Sequence, residues 1–323
     1  MSILANWIPY QLSYQDNDWQ LLWMDLQDRH IEEPFFDETI QLCRFRMKER
    51  SRYLPASNLD FLIEAAEHID PILPTAFIFH VSRCGSTLLS QALATAQTNI
   101  VLAEAPLIDE ILRMKEQDSG VKEEHQEIWF KSAIAIMGQK RKKEYEQFFI
   151  KLDSWHIHFY PLLRKWYPNT PFFFISREPA AVISSHHKRR GIHAVPGMVN
   201  STLLKVNHQE KHNRDFNLFT AEVLTNYYKA LQEIVAVNHP ENTFFDYGWG
   251  VKHLLPHFFS AVKLAGTEDE KMLTRLNFHS KNPGEKFEGD GKLELKRYSD
   301  AHGAYENFLK DLAPANMKNS FSY

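Results

Sequence analysis

The sequence has few of the features that mark secreted, membrane or nucleic-acid-binding proteins. Its two cysteines, Cys43 and Cys84, lie far apart and form no CxxC pair, so we expect a reducing compartment rather than a disulfide framework. No basic start followed by an apolar run opens the chain, and no stretch reaches the length of a membrane span. These absences predict a cytoplasmic protein without a membrane partner.

Excess positive charge is also missing. The 37 Lys and Arg against 41 Asp and Glu give a net charge of -4 and a pI near 6.5. A nucleic-acid-binding surface needs a basic field, so we predict no nucleic-acid partner and expect any anion site to be local. The 323 residues are 44% hydrophobic, enough for a sizeable core, and this length predicts one globular domain with added elements. Nothing in the sequence indicates the oligomeric state.

The first part of the chain, residues 1–74, has a different character from the rest. It contains amphipathic stretches such as Trp19–Leu26 and Ile40–Arg46, interrupted by several prolines. Because proline breaks regular elements, we expect short helices and turns here, forming an N-terminal helical extension or cap. Residues 75–323 are predicted to form the catalytic domain.

After Pro74, short apolar runs typical of buried parallel strands alternate with helical patterns. The predicted strands are Ala76–Phe79, Asn99–Ala103, Phe148–Leu152, Phe172–Ile175 and Thr243–Phe245. The predicted helices are Ser86–Gln97, Trp155–Tyr167, Ala180–Arg190 and Thr220–Val237. This alternation predicts the α/β class with a central parallel sheet.

The segment after the first predicted strand reads Ser82-Arg83-Cys84-Gly85-Ser86-Thr87. Glycine lets a backbone approach an anion, and the helix that follows presents N–H groups and the positive end of its dipole. The segment therefore predicts a phosphate-binding loop; the alternative is an ordinary turn with Ser86 as N-cap. The loop lacks GxxxxGK[ST], which disfavours an Mg-dependent NTPase.

Metal and thiol chemistry are not predicted. The position six residues after Cys84 is Ser90 rather than the arginine of a CxxxxxR phosphatase loop, so we interpret Cys84 as a small loop residue. The histidine pairs near residues 156 and 186 lack the i, i+4 spacing of a helical zinc pair, and no HExxH occurs. We expect no metal cofactor.

A second segment, Phe172–Ser185, carries Arg177 at the end of a strand and Ser185 eight positions later. A guanidinium offers forked donors to phosphate, and a serine adds a neutral donor. With the loop, this segment resembles the two nucleotide-binding motifs of the sulfotransferase superfamily, which hold 3′-phosphoadenosine 5′-phosphosulfate (PAPS). The resemblance covers about residues 75–290 and implies a P-loop-type three-layer sandwich and a PAPS-dependent sulfotransferase.

The resemblance also implies site residues. For Arg177, the alternative to a phosphate contact is a surface salt bridge. For Lys281 and Lys286, whose surroundings resemble the family's nucleotide-covering loop only loosely, the alternative is a solvated loop position. The implied PAPS contacts are Arg83, Cys84, Gly85, Ser86, Thr87, Leu88, Arg177, Ser185 and Lys281.

Sulfonyl transfer needs a base, and cations that stabilise the developing charge. Glu104 lies 21 positions after Arg83, a spacing similar to that of the protein-tyrosine branch of the family, and is the predicted base. Asp153 is the competitor, because Lys151-Leu152-Asp153 stands where cytosolic sulfotransferases carry Lys-x-His. Arg83 and Lys151 are the predicted cations.

The predicted acceptor is a small molecule with a hydroxyl or an amine. Two other classes stay open at this point: an ATP- and Mg-dependent kinase or nucleotidase on a P-loop fold, and a non-catalytic protein that binds PAPS or phosphate.

Overall fold

The computed structural model describes residues 4–49, 53–267, 269–278 and 298–319. The chain divides into two compact units. The first comprises the described residues of Met1–Phe77, Thr87–Leu152 and Glu268–Gly284. The second comprises the described residues of Ile78–Ser86, Asp153–Thr267 and Glu285–Tyr323. The predicted boundary between residues 74 and 75 stays a prediction.

The main sheet has five parallel strands in the order β5-β6-β4-β7-β8. Almost every residue of these strands is buried, as expected for parallel strands covered on both faces. The predicted α/β class with a central parallel sheet is confirmed, and each predicted strand matches to within one residue at either end. The strands are β4 (Ala76–His80), β5 (Asn99–Ala103), β6 (Gln147–Lys151), β7 (Phe172–Ser176) and β8 (Asn242–Asp246).

Helices connect these strands. Those that follow β4 along the chain are α3 (Ser86–Leu93), α4 (Pro106–Leu112), α5 (Glu123–Met137), α6 (Tyr160–Trp166), α7 (Pro179–Lys188), α8 (Glu210–Arg214), α9 (Phe216–Val237), α10 (Leu254–Ala261), α11 (Glu270–Arg275) and α12 (Ser299–Asn319). The four helices predicted after Pro74 overlap α3, α6, α7 and α9, and the other helices of this part of the chain were not predicted.

The N-terminal segment corrects the prediction of a helical extension. Its strands β1 (Trp7–Gln15), β2 (Asp18–Asp25) and β3 (Ala56–Ser57) form an antiparallel sheet. Along the chain, α1 (Phe36–Lys48) lies between β2 and β3, and α2 (Leu59–Glu67) follows β3. The stretch Trp19–Leu26, predicted to be helical, is mostly β2, whereas Ile40–Arg46 does lie in α1.

A two-residue turn explains the hairpin. Asp16 and Asn17 have φ of 52° and 62°, the left-handed pair of a type I′ turn, whose twist matches that of the strands. Strand β1 lies at the end of the sheet order, and its Leu12 N–H donates to the Glu110 carboxylate of α4 at 2.5 Å. This side chain therefore occupies a backbone donor at the sheet edge.

Stacked aromatic rings join the strands of the second unit. The Phe79 ring of β4 stacks on Phe174 of β7 at 4.8 Å, and Phe174 stacks on Phe244 of β8 at 4.9 Å. Such cross-strand pairs stabilise a sheet beyond the area they bury. The stack lies in the strands whose carboxyl ends carry the loop and Arg177.

Candidate functional site

The loop after β4 has an unusual backbone. Ser82, Arg83 and Gly85 have φ of 71°, 50° and 88°, and Ser86 then begins α3. In anion-binding nests, residues of alternating handedness turn successive N–H groups toward one side, and the first N–H groups of a helix have no partner within the helix. Only an over-determined loop keeps two non-glycine residues in this conformation. The loop therefore combines positive φ angles with the start of a helix, two features that anion-binding loops share.

Arg177, at the end of β7, is fixed against this loop. Its Nη1 donates to the Arg83 carbonyl at 2.9 Å, and its guanidinium carbon lies 4.8 Å from the centre of the Tyr247 ring. The Tyr228 hydroxyl donates to the Arg177 carbonyl. Burial raises the pKa of the Tyr228 phenol well above its ordinary value, so it remains a neutral donor. The guanidinium is held beside the loop with its side chain half-buried.

Tyr247 packs directly against the loop glycine. A Cβ at Gly85 would lie 2.7 Å from Cε2 of Tyr247, so no larger residue fits this approach. Buried Asp246, the preceding residue, accepts from Ser176 Oγ at 2.7 Å and from Gly248 N–H at 2.8 Å. These bonds fix the turn that carries Tyr247.

Helix α7 also contacts the loop. Arg83 Nη2 donates to the Arg189 carbonyl at 2.5 Å, immediately after the helix. Ser185 lies one turn earlier, and its carbonyl accepts from Arg189 N–H at 3.2 Å. The Arg83 side chain therefore bonds the backbone immediately after the last turn of α7.

The other predicted loop residues are mostly covered. Cys84 has no exposed surface, Ser86 is 3% exposed and Leu88 is 6% exposed, whereas Gly85 and Thr87 are half-buried. The Thr87 carbonyl accepts from Ser90 Oγ at 3.1 Å. Among these residues, the backbone N–H groups and the hydroxyls of Ser86 and Thr87 are the donors suited to an anion. The buried thiol fits the interpretation of Cys84 as a small loop residue.

An ion pair joins the ends of β5 and β6 in the first unit. Glu104 has φ of 54°, and its carboxylate accepts from Lys151 Nζ. The Lys151 side chain has no exposed surface, while 23% of the Glu104 side chain is exposed. The lysine nitrogen also lies 5.2 Å from the centre of the Phe35 ring. The Glu104 carboxylate is thus paired with a fully buried ammonium and keeps part of its own surface exposed.

Asp153, in the second unit, has a structural role. Its side chain accepts from the backbone N–H of His156, and His156 Nδ1 accepts from Asp153 N–H at 3.2 Å. This reciprocal capping box starts the 3₁₀ helix Ser154–Phe159. Capping explains an acidic residue at this position without any catalytic role.

The structure thus groups the predicted residues. Arg177 donates to the Arg83 carbonyl, and the Tyr247 ring lies against both Arg177 and Gly85. Ser185 lies one turn before the Arg189 carbonyl that Arg83 contacts, and Glu104 pairs with Lys151. Lys281 and Lys286 lie outside the described residues. Sequence reasoning missed Tyr247, although it follows a correctly predicted strand and could have been found as the first aromatic after that strand.

No helix among the described residues combines the length and apolar character of a membrane span.

No family model and no curated protein matches the chain. Two solved structures are similar. The sulfotransferase domain from the curacin biosynthetic pathway has a TM-score of 0.48 and 11% identity, over 74% of this chain and 99% of that chain. A sulfotransferase from Alicyclobacillus acidocaldarius has a TM-score of 0.43 and 10% identity, over 76% and 95%.

Proposed function

We propose that this chain is a sulfotransferase that transfers the sulfonate group of PAPS to a hydroxyl or amine of a small-molecule acceptor. The observation that carries the proposal is the contact between the two motifs: Arg177 Nη1 donates to the Arg83 carbonyl within the left-handed loop. Two segments 94 positions apart are thereby combined into one cationic, donor-rich surface.

Different residues are proposed to bind the 5′ end and the 3′-phosphate of the nucleotide. In the proposal, the loop from Arg83 to Leu88 binds the 5′-phosphosulfate through backbone N–H groups, with Ser86 and Thr87 adding hydroxyls. Arg177 and Ser185 bind the 3′-phosphate, because a guanidinium supplies forked donors and a hydroxyl one more. Lys281 is proposed to cover the nucleotide. We propose no metal, and the protein's cytoplasmic location stays a prediction.

Glu104 is the proposed base. It takes the proton of the acceptor hydroxyl or amine while that oxygen or nitrogen forms a bond to sulfur and the bond from sulfur to the bridging oxygen breaks. The departing product is PAP, adenosine 3′,5′-bisphosphate. Arg83 and Lys151 are proposed to offset the charge that develops on the sulfonate and bridging oxygens.

A thermal-shift titration with PAP, in parallel with ATP and Mg²⁺, tests the proposal. A ligand at a hundred times its Kd that binds only the folded state adds ~2.7 kcal/mol, a rise of several degrees in melting temperature. We expect this rise with PAP and its loss in Arg177→Ala. The matched control is Arg214→Ala, since Arg214 pairs with Glu210 in an exposed surface ion pair.

The outcomes separate the three function classes. A response to ATP with Mg²⁺ and none to PAP would replace the sulfotransferase with a kinase or nucleotidase. A response to PAP without conversion of PAPS to PAP, over a panel of phenol, alcohol and amine acceptors, would favour the non-catalytic binding protein.

A further inference from the structure

The loop residue Ser82 contacts a buried histidine that the proposed function does not use. The Ser82 hydroxyl lies 3.2 Å from Nε2 of His186, although the residues are 104 positions apart. His186 has no exposed surface and lies in the last turn of α7. Its other ring nitrogen, Nδ1, accepts from the Gly191 N–H at 3.2 Å. The imidazole therefore bridges the loop and the segment after α7.

The backbone donor of Gly191 determines the tautomer of His186. A nitrogen that accepts a hydrogen bond carries no proton, so in neutral His186 the proton lies on Nε2. Nε2 then donates to the Ser82 oxygen. A nucleophilic serine needs the reverse arrangement, in which Nε2 accepts the hydroxyl proton, so this pair is not a nucleophile and its base.

The same bond determines what Ser82 can offer to a ligand. Its backbone N–H already donates to Nδ1 of His80 at 3.0 Å. Its oxygen accepts from His186, so the single hydroxyl proton is directed to a different acceptor. A hydroxyl that accepts one hydrogen bond is also a stronger donor in the next. Ser82 is thus prepared to donate to an anion at the loop.

A second hydrogen bond joins the loop to the segment that follows α7. Arg83 Nη2 donates to the Arg189 carbonyl, two residues before Gly191. Gly191 has little room for a side chain, because a Cβ there would lie 3.1 Å from Cε1 of His193 and 3.3 Å from Cε1 of His186. The segment from Arg189 to Gly191 therefore contacts the loop directly through Arg83 and indirectly through His186, which bonds both Gly191 and Ser82.

We propose that His186 is a positioning residue that holds the Ser82 hydroxyl as a donor to the 5′-phosphate of the bound nucleotide. The inference rests on the proposed function, because it assumes that the loop binds the 5′ end of PAP. It adds Ser82, which the implied PAPS contacts did not include, as a nucleotide contact, and it assigns His186 to act through Ser82.

Calorimetry with PAP and with adenosine 3′-monophosphate tests the proposal, since the ratio of the two dissociation constants isolates the contribution of the 5′-phosphate. The variants are His186→Asn, which keeps an acceptor near Nδ1 but loses the Nε2 donor, and His186→Gln, whose amide nitrogen reaches the Nε2 position. Ser82→Ala removes the hydroxyl itself. His187→Asn, the same change at an exposed neighbour on α7, is the control.

We expect His186→Asn and Ser82→Ala each to weaken PAP binding about tenfold, the size of one hydrogen bond to a charged group. Binding of adenosine 3′-monophosphate should not change, and the double variant should lose no more than either single one because both remove the same bond. His186→Gln should recover most of the loss.

Other results would overturn the inference. An unchanged ratio in Ser82→Ala does so even if His186→Asn does not fold, and so does an equal loss for both nucleotides or an additive double variant. If the wild-type chain binds PAP, these results leave the proposed function intact. If the wild-type chain does not bind PAP, the proposed function and this inference both fail.

Discussion

Two carboxylates that follow neighbouring strands are held in different ways. Glu104, after β5, is paired with a lysine that has no exposed surface, and 23% of its own side chain is exposed. Asp153, after β6, caps a 3₁₀ helix, and 12% of its side chain is exposed. A position beyond a strand therefore does not identify a base by itself. The partners of the two carboxylates differ: Glu104 pairs with the Lys151 ammonium, while the Asp153 side chain accepts from a backbone N–H and caps a helix.

The largest expected effect separates the two carboxylates in catalysis. Glu104→Gln should lower the conversion of PAPS to PAP by ~10²- to 10⁴-fold, the usual contribution of a positioned base, and leave PAP affinity unchanged. Asp153→Asn keeps an N-cap and should stay within a few-fold of wild type. The measurement is the initial rate with an acceptor found by screening. The reverse ranking would make Asp153 the base.

The next largest effect concerns the stability cost of removing each partner of the ion pair between Glu104 and Lys151. Glu104→Ala leaves a fully buried ammonium without its carboxylate and should cost about 3 to 5 kcal/mol of unfolding free energy. Lys151→Met leaves only a partly exposed carboxylate and should cost less, roughly 1 to 2 kcal/mol after allowing for solvent screening. Urea unfolding measures both, and equal costs would contradict the asymmetry of burial.

A third carboxylate shows what burial does without a cation. Desolvation raises the pKa of Glu110 to about 7, while the hydrogen bond from Leu12 N–H opposes the shift, and no cation contributes among the described residues. Since the folded pKa exceeds the unfolded value of 4.5, its contribution to stability is fully present below pH 4.5 and is lost as the pH rises through 7.

Glu110→Gln should remove this pH dependence. The glutamine oxygen still accepts from Leu12 N–H but never ionises, so the variant should gain up to roughly 3 kcal/mol over wild type at pH 8 and little at pH 4.5. Unfolding free energies measured between pH 4.5 and pH 8 test this pH dependence, and Glu124→Gln is the control at an exposed position. A constant difference between variant and wild type would show that Glu110 does not titrate there.

The smallest effect concerns the cap itself. Asp153→Ala should lower the unfolding free energy by ~1 kcal/mol through loss of the N-cap bond, and Asp153→Asn should change it by only a few tenths. Thermal unfolding at neutral pH resolves this pair. If both variants were equally destabilised, the charge of Asp153 rather than its capping oxygen would be the stabilising feature.

The central sheet could be predicted because its strands are continuous apolar runs with little internal alternation. Asn99–Ala103 was predicted with its observed bounds, since burial on both faces leaves the same signal in any parallel sheet. The hairpin was not predicted, because the apolar spacing of Trp19–Leu26 also fits a helix. The Asp16-Asn17 pair was the missed turn signal.

The candidate site was predictable where it depends on local chain and not where it depends on distant contacts. The loop and Arg177 follow from strand ends and spacing. The contacts of Tyr247 with Gly85 and of His186 with Ser82 join residues more than 100 positions apart, and no local pattern indicates which of many aromatics or histidines would meet the loop. Such pairings depend on tertiary packing.

Left-handed backbone at Ser82, Arg83 and Glu104 has a consequence for attempts to make the protein more heat-resistant. Each non-glycine residue in this conformation carries a backbone strain of about 1 kcal/mol, which glycine would relieve. A directed-evolution campaign that selects only for survival at high temperature would accumulate glycine at these three positions. The selected variants would be more stable but would have lost side chains proposed for nucleotide binding and catalysis, so the selection must include turnover from the first round.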